Sequence, residues 1–170
     1  MHFKISKKAQ AYFDNIIRLE GYKGSDSNNK FLQFDVYYCC ALVGIAAGQR
    51  DDNTADFQDI IDKYPAAYFS CRAQIAGLIV TAESRRLGID LSSPELETVL
   101  LSYLSSNNTL LSDDGVKALN AYSLKGYHLI EEQLMCDKPL TREEFLDAFN
   151  MVMHIFSKKR RNDDEKSNYT

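Results

Sequence analysis

The residues from Phe31 to Gly48, FLQFDVYYCCALVGIAAG, make a helix-length run whose apolar side chains leave almost no polar face. A helix that is hydrophobic all round belongs in the middle of a bundle. The chain therefore has one central helix, about residues 31–48, and its other segments must cover it on every side. Val36 to Ala47 falls well short of the roughly 20 residues that a membrane-spanning helix needs. The opening MHFKISKK also lacks the apolar core of a signal peptide. Both readings point to a cytoplasmic chain with no membrane partner.

Three prolines and eight glycines in 170 residues supply too little punctuation for many strands, and the periodic stretches are long. The expected fold class is all-α, an irregular bundle of about six or seven helices in one domain. That domain takes residues 1–157, followed by a charged tail at 158–170, KKRRNDDEKSNYT. A net charge of -4 provides no global field toward DNA or an acidic membrane.

In chain order, Ser6 is expected to cap a helix running to about Gly21, with Ala9, Phe13, Ile16 and Ile17 inward. GYKGSDSNN then forms a loop. After the central helix, stopped by Gly48, Thr54 is read as the cap of a short helix holding Phe57, Ile60 and Ile61. Tyr64-Pro65 sets the next boundary and opens a long helix over residues 66–87, expected to lie against the central one. Gly88 ends it. Ser92 or Ser93 with Pro94 starts the following helix, Ser112 caps the one after, and Thr141 with Glu144 makes a capping box for the last. In the helix opened by Ser112, the inner stripe runs through Val116, Leu119, Ser123, Gly126, Ile130 and Leu134. Two small residues, Ser123 and Gly126, thus sit mid-stripe. Glycine there costs about 1 kcal/mol relative to alanine, so Gly126 marks close helix packing, a kink, or a partner-facing notch, in that order.

Residues that could carry chemistry are few. His2, His128 and His154 have no i, i+4 pairing and no zinc-finger spacing to cysteine, so no metal site is assigned. Cys39, Cys40, Cys71 and Cys136 lie in apolar or helical stretches without CxxC spacing and read as buried reduced thiols. GxSxG, SxxK and Cys-His contexts are missing, and LVGIAAGQR has neither P-loop nor dinucleotide spacing, so no catalytic residue and no cofactor is assigned. Asp35 and Arg72 each interrupt one of the two most apolar helices and are expected to pair, across the core seam or at an interface. Glu83 and Arg86 make a simpler i, i+3 surface pair.

Lys158, Lys159, Arg160 and Arg161 run consecutively and are the candidate nucleic-acid contact, through backbone phosphates and not base edges. Cations at a helix C-terminus are also favoured by the dipole without any ligand, and Asp163, Asp164 and Glu165 follow. Tyr37, Tyr38, Tyr64, Tyr68, Tyr103, Tyr122 and Tyr127 are too many for one small core. Half-buried core-edge positions account for most, and a surface covered by a partner suits the rest.

The order FDVYYCCALVGIAAG, DFQDIIDKYPAAYFSCRAQIAGLIVTAESRRLGI, LLSDDGVKALNAYSLKGYHLIEEQ and EEFLDAFNMVMHIF resembles the small all-helical accessory proteins of bacterial anti-phage and anti-plasmid defence operons. It is most similar to the small subunit of Lamassu-type systems, which accompanies an SMC-like ATPase and a nuclease-bearing effector. It is also similar in character to small helical proteins encoded beside DNA phosphorothioation genes. The resemblance spans about residues 30–157 and carries over no catalytic residue. It implies a non-enzymatic subunit that holds the effector on the ATPase and touches DNA within the assembly. Two other classes are a small helical DNA-binding protein acting through Lys158 to Arg161, and an enzyme with a site assembled from scattered residues such as Asp35, Arg72 and Glu83.

Overall fold

Ser6 decides how the chain begins. Its Oγ accepts from the Lys8 and Ala9 amides at 3.1 and 3.3 Å and donates to Asp56 at 3.0 Å, so it caps a helix and ties a distant loop at once. The computed structural model describes residues 2–18, 30–135 and 137–167. Ahead of Ser6 the chain is a strand, β1 (Phe3–Ser6), with Phe3 and Ile5 turned into the core. The capped helix, α1 (Lys7–Tyr12), is far shorter than expected. A tertiary interaction wins over helix continuation: the Ile16 carbonyl accepts from Phe31 at 2.8 Å, and β2 (Ile17–Arg18) pairs in parallel with β3 (Phe31–Leu32). The loop read at GYKGSDSNN lies outside the described residues.

The central helix forms as its composition dictates. α2 (Gln33–Ala47) ends at Gly48, whose φ of 65° is the left-handed conformation that glycine adopts without strain. Phe34, Tyr37, Ala41 and Ile45 enter one apolar cluster and Val36, Cys40 and Val43 enter another, so α2 is packed on two sides.

Residues 54–61 correct the expectation of a second short helix. They turn at Thr54 and form β4 (Phe57–Ile61), antiparallel to β1 with Ile5 opposite Gln58 and Ser6 opposite Phe57. An unpaired β1 would leave its amides and carbonyls without partners, and the aromatic and β-branched residues of FQDII suit the pleat. The described residues are therefore mainly helical, with two small two-stranded sheets, and not purely all-α.

After Tyr64-Pro65, residues Ala66–Cys71 wind as a 3₁₀ segment into α3 (Arg72–Leu87), which Gly88 ends at φ 70°. Ser93 and Pro94 make a turn before α4 (Leu96–Tyr103) and do not cap it directly. Ser112 caps α5 (Asp113–Gln133), accepting from Gly115 at 3.0 Å. Thr141 accepts from the Glu144 amide at 3.2 Å while the Glu144 carboxylate accepts from Leu140 at 2.7 Å, a capping arrangement for α6 (Arg142–Ser167). α6 continues past residue 157, so the basic run stands on a helix and not on a tail beyond it.

The main partner of α2 is α5, not α3. A Cβ on Gly126 would come 1.7 Å from the Cys40 carbonyl oxygen, and one on Gly44 would come 2.1 Å from that of Tyr122. The two backbones touch at these glycines, and Ser123 Oγ donates to the Tyr37 carbonyl at 3.0 Å along the same seam. Gly126 thus marks close helix packing, the first of its three readings. α3 contributes the fully buried Ile75 and Ile79 to the core, while a Cβ added at its own Gly77 would meet nothing within 4 Å. No described helix is long and apolar enough to cross a membrane.

Candidate functional site

On α3 the buried positions Ala76, Ile79 and Val80 form an inner stripe, and Glu83 falls on it one turn later. Its carboxylate is fully buried, which corrects the reading of a surface pair with Arg86. A charge in that position must be met from several sides. Glu83 Oε1 accepts from Arg50 Nη1 at 3.0 Å and from the Tyr122 hydroxyl at 2.9 Å. Oε2 accepts from Arg86 Nε and Nη2 at 2.9 and 2.7 Å and from the Tyr103 hydroxyl at 2.8 Å. One carboxylate therefore joins four segments: the loop after α2 through Arg50, then α3, α4 and α5. Asp52 faces Arg50 Nε at 3.2 Å and offsets part of the second cation, and the Asp51 amide donates to the Ala121 carbonyl at 3.0 Å.

Burial pushes the Glu83 carboxyl up, but the Arg86 hydrogen bonds, the two tyrosine hydroxyls and the Arg50 charge outweigh it, and its pKa ends below the ordinary value. Burial and the facing carboxylate raise both Tyr103 and Tyr122, which stay protonated as donors. With both oxygens engaged by five donors, Glu83 is a poor proton acceptor, and its chemistry is that of a fixed anion holding helices in register. Beside it opens a shallow cleft of about 340 Å³, lined by Arg50, Tyr103, Val99, Leu87, Asp114 and Lys117.

Asp35 and Arg72 are not brought together. Asp35 accepts from the Leu32 amide at 2.8 Å and from the Tyr68 hydroxyl at 2.7 Å, acting as the acid in the first turn of α2. Arg72 lies over the Phe69 ring at 3.9 Å and donates to the Phe69 carbonyl at 3.2 Å. The reason is positional: α2 packs chiefly on α5 and meets α3 over only a short stretch, and Asp35 is already held by Leu32 and Tyr68 while Arg72 lies on Phe69. Arg72→Met is accordingly expected to change stability by less than about 1 kcal/mol. Asp35→Ala, which orphans the Leu32 amide and the Tyr68 hydroxyl, should remove about 1–3 kcal/mol. Urea denaturation of the two variants compares them directly. Nor do Asp35, Arg72 and Glu83 share one cluster, since each has its own set of partners.

Of the seven tyrosines, Tyr37, Tyr64, Tyr122 and Tyr127 are buried and Tyr38, Tyr68 and Tyr103 are half-buried. Tyr37, Tyr38, Tyr64 and Tyr68 pack their rings on Phe3 or Phe34 and Tyr127 packs on Phe13. The Tyr37 hydroxyl donates to Asn120 at 2.7 Å, Tyr68 to Asp35, and Tyr103 and Tyr122 to Glu83, while the Tyr64 hydroxyl is buried without a hydrogen-bond partner among the described residues. Cys40 is buried and Cys39 half-buried, with its thiol pushed up to about 12 by burial and by the Asp35 charge. Cys71 is exposed, against the expectation of a buried thiol, and Cys136 lies outside the described residues. Among the described residues no group of three or more His, Cys, Asp or Glu is placed to hold a metal ion. Lys158 and Lys159 are exposed on α6, and Arg160 and Arg161 follow on the same helix. Comparison with family models, with curated proteins and with solved structures returned no match.

Sequence reasoning missed Arg50, which reads as an ordinary loop cation, and the hydrogen-bonding roles of Tyr103 and Tyr122. The available signal was the phase of Glu83, on the stripe of Ala76 and Ile79 and not on the outer face.

Proposed function

We propose that this chain is a non-enzymatic accessory subunit of a bacterial anti-phage and anti-plasmid complex, binding protein partners and bridging an SMC-like ATPase to its nuclease effector. The observation that carries protein binding is four leucines left in water at the end of α3, in the connection after it and on α4: Leu87, Leu91, Leu100 and Leu101 are 49%, 50%, 36% and 75% exposed. Burying apolar surface contributes about 25 cal/mol per Å², and four exposed leucines within fifteen residues of chain suit a protein interface. The Glu83 cluster supports the reading, because it fixes α3 and α4 as a rigid platform. The defence assignment comes from the sequence resemblance over residues 30–157.

The test is a pull-down of the tagged chain from its native host, washed at low and high salt, with mass spectrometry. A large ATPase and a nuclease that survive high salt and are lost with Leu101→Asp are the expected result. Recovery of only nuclease-sensitive, salt-labile DNA-associated proteins would overturn it and direct attention to Lys158 and Lys159.

A further inference from the structure

α6 packs Phe145, Ala148 and Val152 into the core and turns a different set of residues outward. Asp147 and Lys159 are exposed, and Met151 and Ile155 between them are 54% and 52% exposed. These four recur every fourth residue, so they lie along a single ridge of the helix surface. The ridge is acidic at one end, apolar in the middle and basic at the other. At the helical rise, Asp147 and Lys159 stand about 18 Å apart, and both pairs, 147 with 159 and 151 with 155, are centred along the helix at the level of Met153. A ridge of this kind is its own complement when reversed.

We infer that α6 pairs with α6 of a second copy of this chain, antiparallel, about a two-fold axis that crosses the exposed ridge between Met151 and Ile155, on the face opposite the core-facing Met153. Met151 of each protomer packs on Ile155 of the other, and Asp147 of each faces Lys159 of the other. Such an interface is isologous, and every contact occurs twice. Ridges spaced by four interlock at a crossing of about 50°, which leaves the long Lys159 side chain able to reach the opposing carboxylate. The end charges select this orientation, because a parallel pairing would set Asp147 on Asp147 and Lys159 on Lys159. One helix crossing buries less than the roughly 1,200–2,000 Å² of a standard interface, so the dimer is weak. Its dissociation constant is on the order of 10 μM or above.

The test is sedimentation of the full chain over a concentration series at low ionic strength, with circular dichroism to verify folding of each variant. Because all four side chains are exposed, the variants keep their fold. The native chain is expected to dimerise with concentration, and Ile155→Asp to be monomeric throughout. Asp147→Lys alone should weaken the dimer about tenfold, since one substitution creates two like-charge contacts. Asp147→Lys with Lys159→Asp should restore it to within about twofold, because the reversed ridge is again self-complementary. A native chain that stays monomeric at every concentration overturns the inference. So does a dimer that Asp147→Lys leaves unchanged or that the double reversal fails to restore.

Discussion

Replacing Gly126 with alanine should destabilise the protein by about 3 kcal/mol or more and lower its melting temperature by about 6–12 °C. The added Cβ would stand 1.7 Å from the Cys40 carbonyl oxygen, a backbone atom that no rotamer change can move aside. Relief requires α2 and α5 to separate, which loosens every other contact of the seam: Gly44 against Tyr122, the Ser123 hydroxyl on the Tyr37 carbonyl, and Tyr37 on Asn120. Gly77→Ala is the matched control. It too replaces a mid-helix glycine, but its Cβ meets nothing within 4 Å. Removing the conformational entropy of glycine should therefore make that variant more stable by about 0.5–1 kcal/mol. Thermal and urea melts of the two would separate packing from propensity, and equal effects would mean that the seam is not held this closely.

The contrast also explains what could be read from the sequence. Gly126 was legible because glycine in the middle of an apolar stripe has few uses, and Gly48, Ser112 and the Thr141–Glu144 pair were legible because caps are local chemistry. The β1–β4 pairing was not. Phe3–Ser6 and Phe57–Ile61 are joined only by the tertiary fold, and each segment alone is short enough to pass for the edge of a helix. For the same reason α5 is not legible as the main neighbour of α2: α3 does meet α2, but sequence does not say which pair of small residues face each other most closely. The expected pairing of Asp35 with Arg72 rested on the same ambiguity. For the tyrosines the misjudgement was one of capacity, since phenol rings fill a core readily when a carboxylate such as Glu83 or an amide such as Asn120 waits for the hydroxyl.

Glu83→Ala should cost about 3–5 kcal/mol, because it leaves Arg50 and Arg86 close together without their shared anion and two tyrosine hydroxyls without an acceptor. Glu83→Gln keeps the volume and one acceptor oxygen, removes the charge and sets an NH2 against the donors on the other side, so it too should be destabilising, and the difference from the native chain should depend on pH. The folded state holds the carboxyl below its ordinary pKa, so the unfolded chain takes up a proton first as the medium is acidified. The stabilisation due to ionised Glu83 is thus fully present above the ordinary carboxylate range. It declines as the pH falls below about 4.5 and on through the depressed native value. Urea denaturation of native chain and Glu83→Gln at neutral pH and at successively lower pH should show a stability gap that narrows with acidification. A gap that widened on acidification would mean that the folded state holds the carboxyl neutral, and a gap that stayed constant would mean that folding leaves its pKa unchanged; either result would overturn the ionised, arginine-held Glu83.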